Sequence, residues 1–148
     1  MADALYDYGK QGMAVAEIDV DTAVLKCALV RGYTPNLSSH KFISDLVAAG
    51  GTLAGSSGTT PVAVTITTTT AGVIKGSNVT FTACGGTGTT GVSHPYVVVY
   101  QASAVTGGAD VATNAQRLIA LYDKTGTPIT PNGGDIQIQW NASGLFAI

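Results

Sequence analysis

This sequence of 148 residues is poor in charged side chains. Charged residues make up 11% of it, against about 25% in an average soluble domain. Seven basic and nine acidic side chains leave a net charge of −2, which offers no electrostatic footprint for DNA or RNA. No apolar run approaches the roughly 20 residues that span a bilayer, so we expect no membrane partner. The hydrophobic fraction of 45% excludes an intrinsically disordered chain.

Cysteine and histidine are scarce as well. Cys27 and Cys84 are too few for a disulfide scaffold, and each lies in an apolar stretch that predicts a small buried side chain. Whether either cysteine links neighbouring copies stays open. A metal site needs three or four clustered ligands, so we interpret His40 and His94 as solvated or hydrogen-bonded loop residues. The N-terminus, with acidic and aromatic residues, does not resemble a signal peptide, and we expect synthesis in a cytosol.

Small and hydroxyl-bearing residues are abundant instead, with 19 Gly and 20 Thr. A surface of Thr, Ser, Gly and Ala is weakly hydrated and suits lasting contact with neighbours. We therefore expect much of the exterior to be covered in an assembly. The alternative is an ordinary Thr-rich β domain.

Residues 1–48 predict a helix, a strand and a second helix. A partial 3.6-residue stripe predicts the first helix over Asp3–Glu17, although Gly9 and Gly12 each lower helix stability by about 1 kcal/mol relative to alanine. The apolar segment Ala23–Val30 predicts a largely buried strand. The second helix is predicted over His40–Ala48.

Ser38 or Ser39 is the predicted N-cap of that second helix. Residues 50–61 are small and predict a flexible loop, either mobile or ordered by a partner. Residues 62–148 are predicted to be β-rich, with central strands where apolar residues are continuous, at Tyr96–Tyr100 and Leu118–Tyr122.

Other strands are predicted by period-two alternation, at residues 62–67, 79–83 and 136–140, and a short apolar end follows at 145–148. Turns are predicted at 71–72 or 76–78, at 123–126 as a hairpin, and at 132–135. The chain is therefore expected to be one mainly β domain over residues 1–148. We expect a β-sandwich or jelly-roll-like barrel of about seven or eight strands, with one or two short N-terminal helices.

Two sequence patterns resemble known ligand-binding motifs, one for dinucleotides and one for calcium. Gly86–Gly91 fits G-x-G-x-x-G, but a strand is predicted after it where a dinucleotide site needs a helix, so we interpret it as a flexible loop. Asp19 and Asp21 resemble the start of a calcium loop without its later Gly and Glu. Three further aspartates occupy predicted turns, where an Asp side chain hydrogen-bonds the nearby backbone: Asp110, Asp123 and Asp135.

No nucleophile motif occurs, and nothing selects a carboxylate pair for hydrolysis. We therefore predict no catalytic residue, no metal site and no cofactor, and we expect the protein not to be an enzyme. The aromatic residues could form a carbohydrate-stacking surface: Tyr6, Tyr8, Tyr33, Tyr96, Tyr100 and Trp140. Three of them lie on apolar strands, which favours packing in the core or between subunits.

Several segments, taken in order, resemble a family of small structural proteins of tailed bacteriophages. They are Ala4–Asp7 with Gly9–Lys10, Glu17–Asp19, Leu25–Val30, Tyr33–Leu37, His40–Asp45 and Pro128–Ile136. The first segment and the Pro-Asn-Gly-Gly-Asp part of the last are the most specific. The match spans nearly the whole chain, and none of the segments encodes chemistry.

The resemblance implies a virion component. Among such roles we favour a capsid decoration, or cement, protein that binds the outside of the head and stabilises it. Its expected partners are the major capsid protein and copies of itself, as in trimers on threefold sites, and its expected location is the capsid exterior. The 50–61 loop or the first ten residues would order on binding. The alternatives are a tail, neck or fibre-associated component and a module that binds host glycans.

Overall fold

Residues 3–147 are described by the computed structural model, and they form a mainly β, sandwich-like fold with two short helices. The predicted fold class is thereby confirmed. The elements in this range are β1 (Ala4–Leu5), α1 (Asp7–Ala14), β2 (Val24–Arg31), α2 (Ile43–Ala48), β3 (Thr52–Ala54), β4 (Val62–Val64), β5 (Ile66–Thr70), β6 (Val73–Gly76), β7 (Val79–Phe81), β8 (Tyr96–Ser103), β9 (Arg117–Asp123), β10 (Ile136–Ile138) and β11 (Phe146–Ala147).

The centre of the fold is an antiparallel six-stranded sheet. Its order is β1-β9-β8-β2, and both β3 and β4 pair with the remaining edge of β2. β3 lies beside Leu29–Arg31 and β4 beside Leu25–Cys27, one after the other. Apolar side chains fill most positions of β2, β8 and β9, so these strands are buried on both faces.

A second layer of short strands covers one face of the central sheet. β5, β6 and β11 form a three-stranded antiparallel sheet, and β7 pairs with β10. One hydrophobic core lies between the layers. Its buried members come from both sides and include Leu25, Cys27, Leu29, Val97, Val99, Ile74, Val79, Phe81 and Leu145.

The other face of the central sheet is covered by α2 and by two tyrosines. Ile43 and Leu46 of α2 are fully buried in a second core, together with Tyr6 and Tyr33. α2 begins at Ile43 because the Asp45 carboxylate accepts the backbone N–H groups of the two preceding residues, at 2.8 and 2.9 Å. That contact satisfies donors that a helix N-terminus otherwise leaves free.

The first helix is shorter than the predicted Asp3–Glu17. Ala4 and Leu5 pair with β9 and form β1 instead. At the other end Ala16 has a φ of 59°, which ends the helical path after Ala14.

The second helix also begins later than predicted, at Ile43 rather than His40. The side-chain oxygen of Asn36 accepts the backbone N–H groups of Ser38 and Ser39. This closes a turn before the helix starts, so neither serine acts as the predicted N-cap.

Residues 50–61, predicted as a flexible loop, contain a strand that the sequence did not predict. Thr52–Ala54 pair with β2, and two isolated bridges, Gly55–Gly58 and Ser56–Thr60, fold the rest back on itself. Gly55 and Gly58 are both buried. The small residues allow backbones to approach closely here, which explains a composition that resembles a loop.

The described residues contain eleven strands, more than the seven or eight expected. The alternation over 62–67 is interrupted at Thr65, so β4 joins the central sheet and β5 joins the outer layer. The turn predicted at 123–126 exists, but it does not close a hairpin, because the chain that follows makes a bridge from Ile129 to His94. The predicted apolar end is β11 in part, and Ile148 lies outside the described residues, as do Met1 and Ala2.

Candidate functional site

The G-x-G-x-x-G segment folds as a turn that bonds to itself. The carbonyl oxygen of Gly86 accepts the backbone N–H groups of Thr89 and Thr90, each at 3.0 Å. The side-chain Oγ1 of Thr90 in turn accepts a hydrogen bond from the N–H of Gly86, at 2.8 Å. A strand follows rather than a helix, so no helix N-terminus faces a phosphate here.

His94 is fully buried at the bridge to Ile129. Its Nδ1 lies 2.8 Å from the carbonyl oxygen of Val92, so Nδ1 carries the proton and donates it to that bond. Nε2 then has a buried lone pair with no partner among the described residues. Burial lowers the pKa of this imidazole below its ordinary value. His94 is therefore hydrogen-bonded, as predicted, but it is not solvated.

A buried chain of hydrogen bonds links Tyr6, Tyr33 and His40. The two tyrosine hydroxyls are 3.0 Å apart, and the Tyr33 oxygen lies 2.7 Å from His40 Nδ1. Nδ1 also accepts the N–H of Asn36, so Tyr33 donates to His40 and Tyr6 donates to Tyr33. Burial raises the pKa of both hydroxyls. They stay protonated at neutral pH, and the chain fixes the N-terminal segment to the 33–40 turn.

The sequence did not predict this chain of hydrogen bonds, because its residues lie in separate segments of the sequence and no motif joins them. Tyr6 falls within the segment predicted as the first helix, and nothing near it in the sequence indicates a partner in the 33–40 turn.

The candidate aspartates contact nearby backbone or a single cation. Asp19 accepts the N–H of Asp21, and Asp135 accepts the N–H of Ala83. Asp110 instead forms an ion pair with Lys26, at 2.7 Å. Within residues 3–147, no three His, Cys, Asp or Glu side chains are grouped in a way that would hold a metal ion.

Both cysteines are buried thiols with free side chains, as their apolar surroundings predict. Burial raises the pKa of each thiol. A thiol held in its protonated form reacts slowly with disulfides and electrophiles.

An open groove lies beside two aromatic rings, Tyr122 and Trp140. Their centroids are 5.2 Å apart. Two adjoining cavities of about 440 and 410 Å³ share Tyr122 and Leu145 in their walls, and the larger is also lined by Trp140, Gln139 and Asn141. The polar atoms of both rings are already used, since Tyr122 donates to the Leu145 carbonyl and Trp140 to the Ser77 carbonyl. The half-buried ring faces remain the chemical feature of this groove.

The outer layer of strands is almost without charge. Lys75 is the only Asp, Glu, Lys, Arg or His between Asp45 and His94. Apart from Val47 and Lys75, exposed positions in this stretch carry Thr, Ser, Gly, Ala or Asn, and Thr67–Thr70 of β5 form its longest exposed run of threonine. The scarcity of charge in the composition is thus concentrated on one side of the sandwich.

The segment 104–115, between β8 and β9, is a second exposed surface of low charge. Val105 is 68% exposed and Val111 40%. Asp110, the only ionisable residue in the segment, is bound to Lys26. The backbone is held in place, because the N–H of Val111 donates to the Ala102 carbonyl and the Thr113 carbonyl accepts the N–H of Ser44. Exposed valines therefore sit on a loop of fixed shape.

Comparison with protein-family models, with curated proteins and with solved structures finds no match for this chain. In residues 3–147 the two helices have eight and six residues, and neither is long enough to cross a bilayer.

Proposed function

We propose that this chain is a structural component of a bacteriophage particle, a decoration protein that binds the outer capsid surface and stabilises the head. The observation that carries the proposal is the 104–115 segment, in which exposed valines stand on a backbone that hydrogen bonds tie to β8 and α2. The sequence segments that resemble phage structural proteins support the particle as its setting. The major capsid protein and further copies of this chain are the proposed partners.

The exposed valines and the hydrogen-bonded backbone of the 104–115 segment would both increase its affinity for a capsid surface. Fully burying an exposed valine side chain contributes about 1.5 kcal/mol or more. Val105 and Val111 are only partly exposed, so burying what remains exposed would contribute about 1.6 kcal/mol, a factor of roughly 15 in affinity. A loop that is already ordered loses little entropy on binding. Weak contacts of this kind become effective when many copies bind one shell.

Particles assembled without this protein provide the test. Purified wild-type protein is added to them, and bound protein is measured by co-sedimentation and copy counting. We expect hundreds of copies per particle and a higher temperature of DNA release. The Val105→Lys/Val111→Lys double variant is expected to bind at least about tenfold more weakly.

The control is Val15→Lys, since Val15 is 57% exposed at the end of α1 and lies outside the segment. This variant should bind as the wild type does. Equal binding of the double variant and the control would contradict the role of the segment. No binding to shells would overturn the decoration proposal, and tens of copies located on tails would favour a tail, neck or fibre component.

A glycan-binding module is the second candidate, and the groove beside Tyr122 and Trp140 favours it. Aromatic ring faces with neighbouring amides, here Gln139 and Asn141, are suited to stacking on a sugar ring and bonding its hydroxyls. A glycan array is the test. Binding that is lost in Trp140→Ala and kept in a variant of the 104–115 segment would support this candidate, and an array without hits would dismiss it.

A further inference from the structure

β5 is the longest strand at a sheet edge in the described part of the chain. It has five residues and pairs only with β6. The other edge strands, β1, β3, β4, β7, β10 and β11, have two or three residues each. An exposed edge presents unpaired N–H and C=O groups, which makes it a template for another strand.

The turn that joins β5 to β6 determines which groups of β5 are free. Ala71 and Gly72 both have positive φ, 51° and 78°, which defines the two-residue hairpin loop of type I′. The residues that flank such a loop, Thr70 and Val73, exchange hydrogen bonds, and the next opposing pair does not. That next pair is Thr69 with Ile74, so the N–H and C=O of Thr69 point away from β6. Outside the β5–β6 ladder, no hydrogen bond to Thr69 occurs in residues 3–147.

The composition of β5 suits pairing with itself. No ionisable side chain lies between Asp45 and Lys75, so an antiparallel copy of β5 places no like charges opposite each other. Thr67, Thr68, Thr69 and Thr70 are all exposed, and threonine pairs opposite threonine stabilise neighbouring strands. The edge carries no lysine and no proline, the usual protection against pairing. Its bulge lies between Ile66 and Thr68 and leaves Thr68–Thr70 regular.

We propose that two copies of this chain pair through β5, in antiparallel orientation, and form a symmetric dimer. The two outer three-stranded sheets become one continuous six-stranded sheet across a two-fold axis beside Thr68 and Thr69. The pairing is isologous, so it closes at two copies. It requires no capsid and therefore stands or falls separately from the decoration proposal.

The mass of the purified protein in solution, from light scattering and sedimentation, is the first test. We expect a dimer for the wild type. Thr69→Pro removes an N–H that β6 does not use, so the hairpin can form while its edge is blocked. Thr69→Lys keeps that N–H and adds a charge at the two-fold axis. Each variant should raise the dimer dissociation constant by about tenfold or more. Thr80→Lys, at the one exposed position of β7, is the matched control and should stay dimeric.

Crosslinking is the second test. A single cysteine at Thr68 or Thr69 should form a disulfide-linked dimer under mild oxidation, and a cysteine at Thr80 should not. Cys27 and Cys84 are buried and will not compete. A monomeric or trimeric wild type, a folded Thr69→Lys variant that dimerises as tightly as the control, or the absence of both crosslinks would each overturn the proposal.

Discussion

Replacing Gly9 with alanine tests how α1 is held against the central sheet. In an isolated helix this change is stabilising by about 1 kcal/mol, because alanine has the higher helix propensity. Here Gly9 is buried against β9, and an added Cβ would lie 2.9 Å from the carbonyl oxygens of both Leu118 and Ile119. These backbone atoms belong to β9, which pairs with β8 and β1, so they yield less readily than the end of a flexible side chain.

The expected change in the free energy of unfolding is the difference between two effects, the steric contact with β9 and the higher helix propensity of alanine. Relief of the contact requires α1 to move outwards by about half an ångström, and overpacking of this kind costs about 1–3 kcal/mol. After the gain in helix propensity of about 1 kcal/mol, we expect the free energy of unfolding to fall by about 1 kcal/mol. For a domain of this size the melting temperature should fall by about 2–4 °C.

Gly12→Ala is the matched control on the same helix. Its Cβ would meet the end of a side chain, Ile18 Cδ1, at 2.8 Å. That methyl group can rotate away, so the gain in propensity should offset most of the strain. We expect Gly12→Ala to lie within about 1 kcal/mol of the wild type and above Gly9→Ala.

Urea denaturation of the wild type and the two variants, monitored by circular dichroism, measures their relative stability. The expected order of stability is the wild type and Gly12→Ala together, with Gly9→Ala lower. A Gly9→Ala variant more stable than the wild type would refute the reasoning, because it would mean that α1 is free to move off β9.

Three further predictions concern a turn, a histidine and the thiols. Ala71→Asn should raise the free energy of unfolding by about 0.5–1 kcal/mol in urea denaturation, since asparagine tolerates positive φ; a loss would contradict the turn geometry. For His94, the pKa in the fold is lowered by burial, so the unfolded chain binds a proton first and stability should fall as the pH drops below about 6.5. Unfolding measured between pH 8 and pH 5 should lose this dependence in His94→Gln. Cys27 and Cys84 should react with a thiol reagent only as fast as the protein unfolds, and rapid labelling of native protein would show that the core opens.

The central strands could be predicted from sequence because their signal is local. Apolar residues are continuous in Tyr96–Tyr100 and Leu118–Tyr122, and such short runs are typical of strands that are buried on both faces. Both lie where predicted, within β8 and β9. The alternation over 136–140 likewise places β10, because period two fixes which side chains face the core.

The features that could not be predicted depend on contacts with residues that are distant in the sequence. Residues Thr52–Ala54 carry no strand signal of their own and form a strand because β2 offers a free edge there. His94 is buried where its backbone pairs with that of Ile129, and the residues between the two give no sign of this pairing. Composition predicted low surface charge, but its concentration on the outer strands follows from the topology.

The two proposals use different surfaces, so their combination predicts a specific coupling. A dimer presents two 104–115 segments to a shell, and the second contact forms at a high effective concentration once the first has formed. Thr69→Pro should therefore weaken capsid binding without altering the 104–115 segment. The Val105→Lys/Val111→Lys variant should weaken capsid binding while staying dimeric. Co-sedimentation with shells and light scattering of the same samples measure both properties. If Thr69→Pro is monomeric and binds shells as tightly as the wild type, the two surfaces act independently, and each copy binds the capsid by itself.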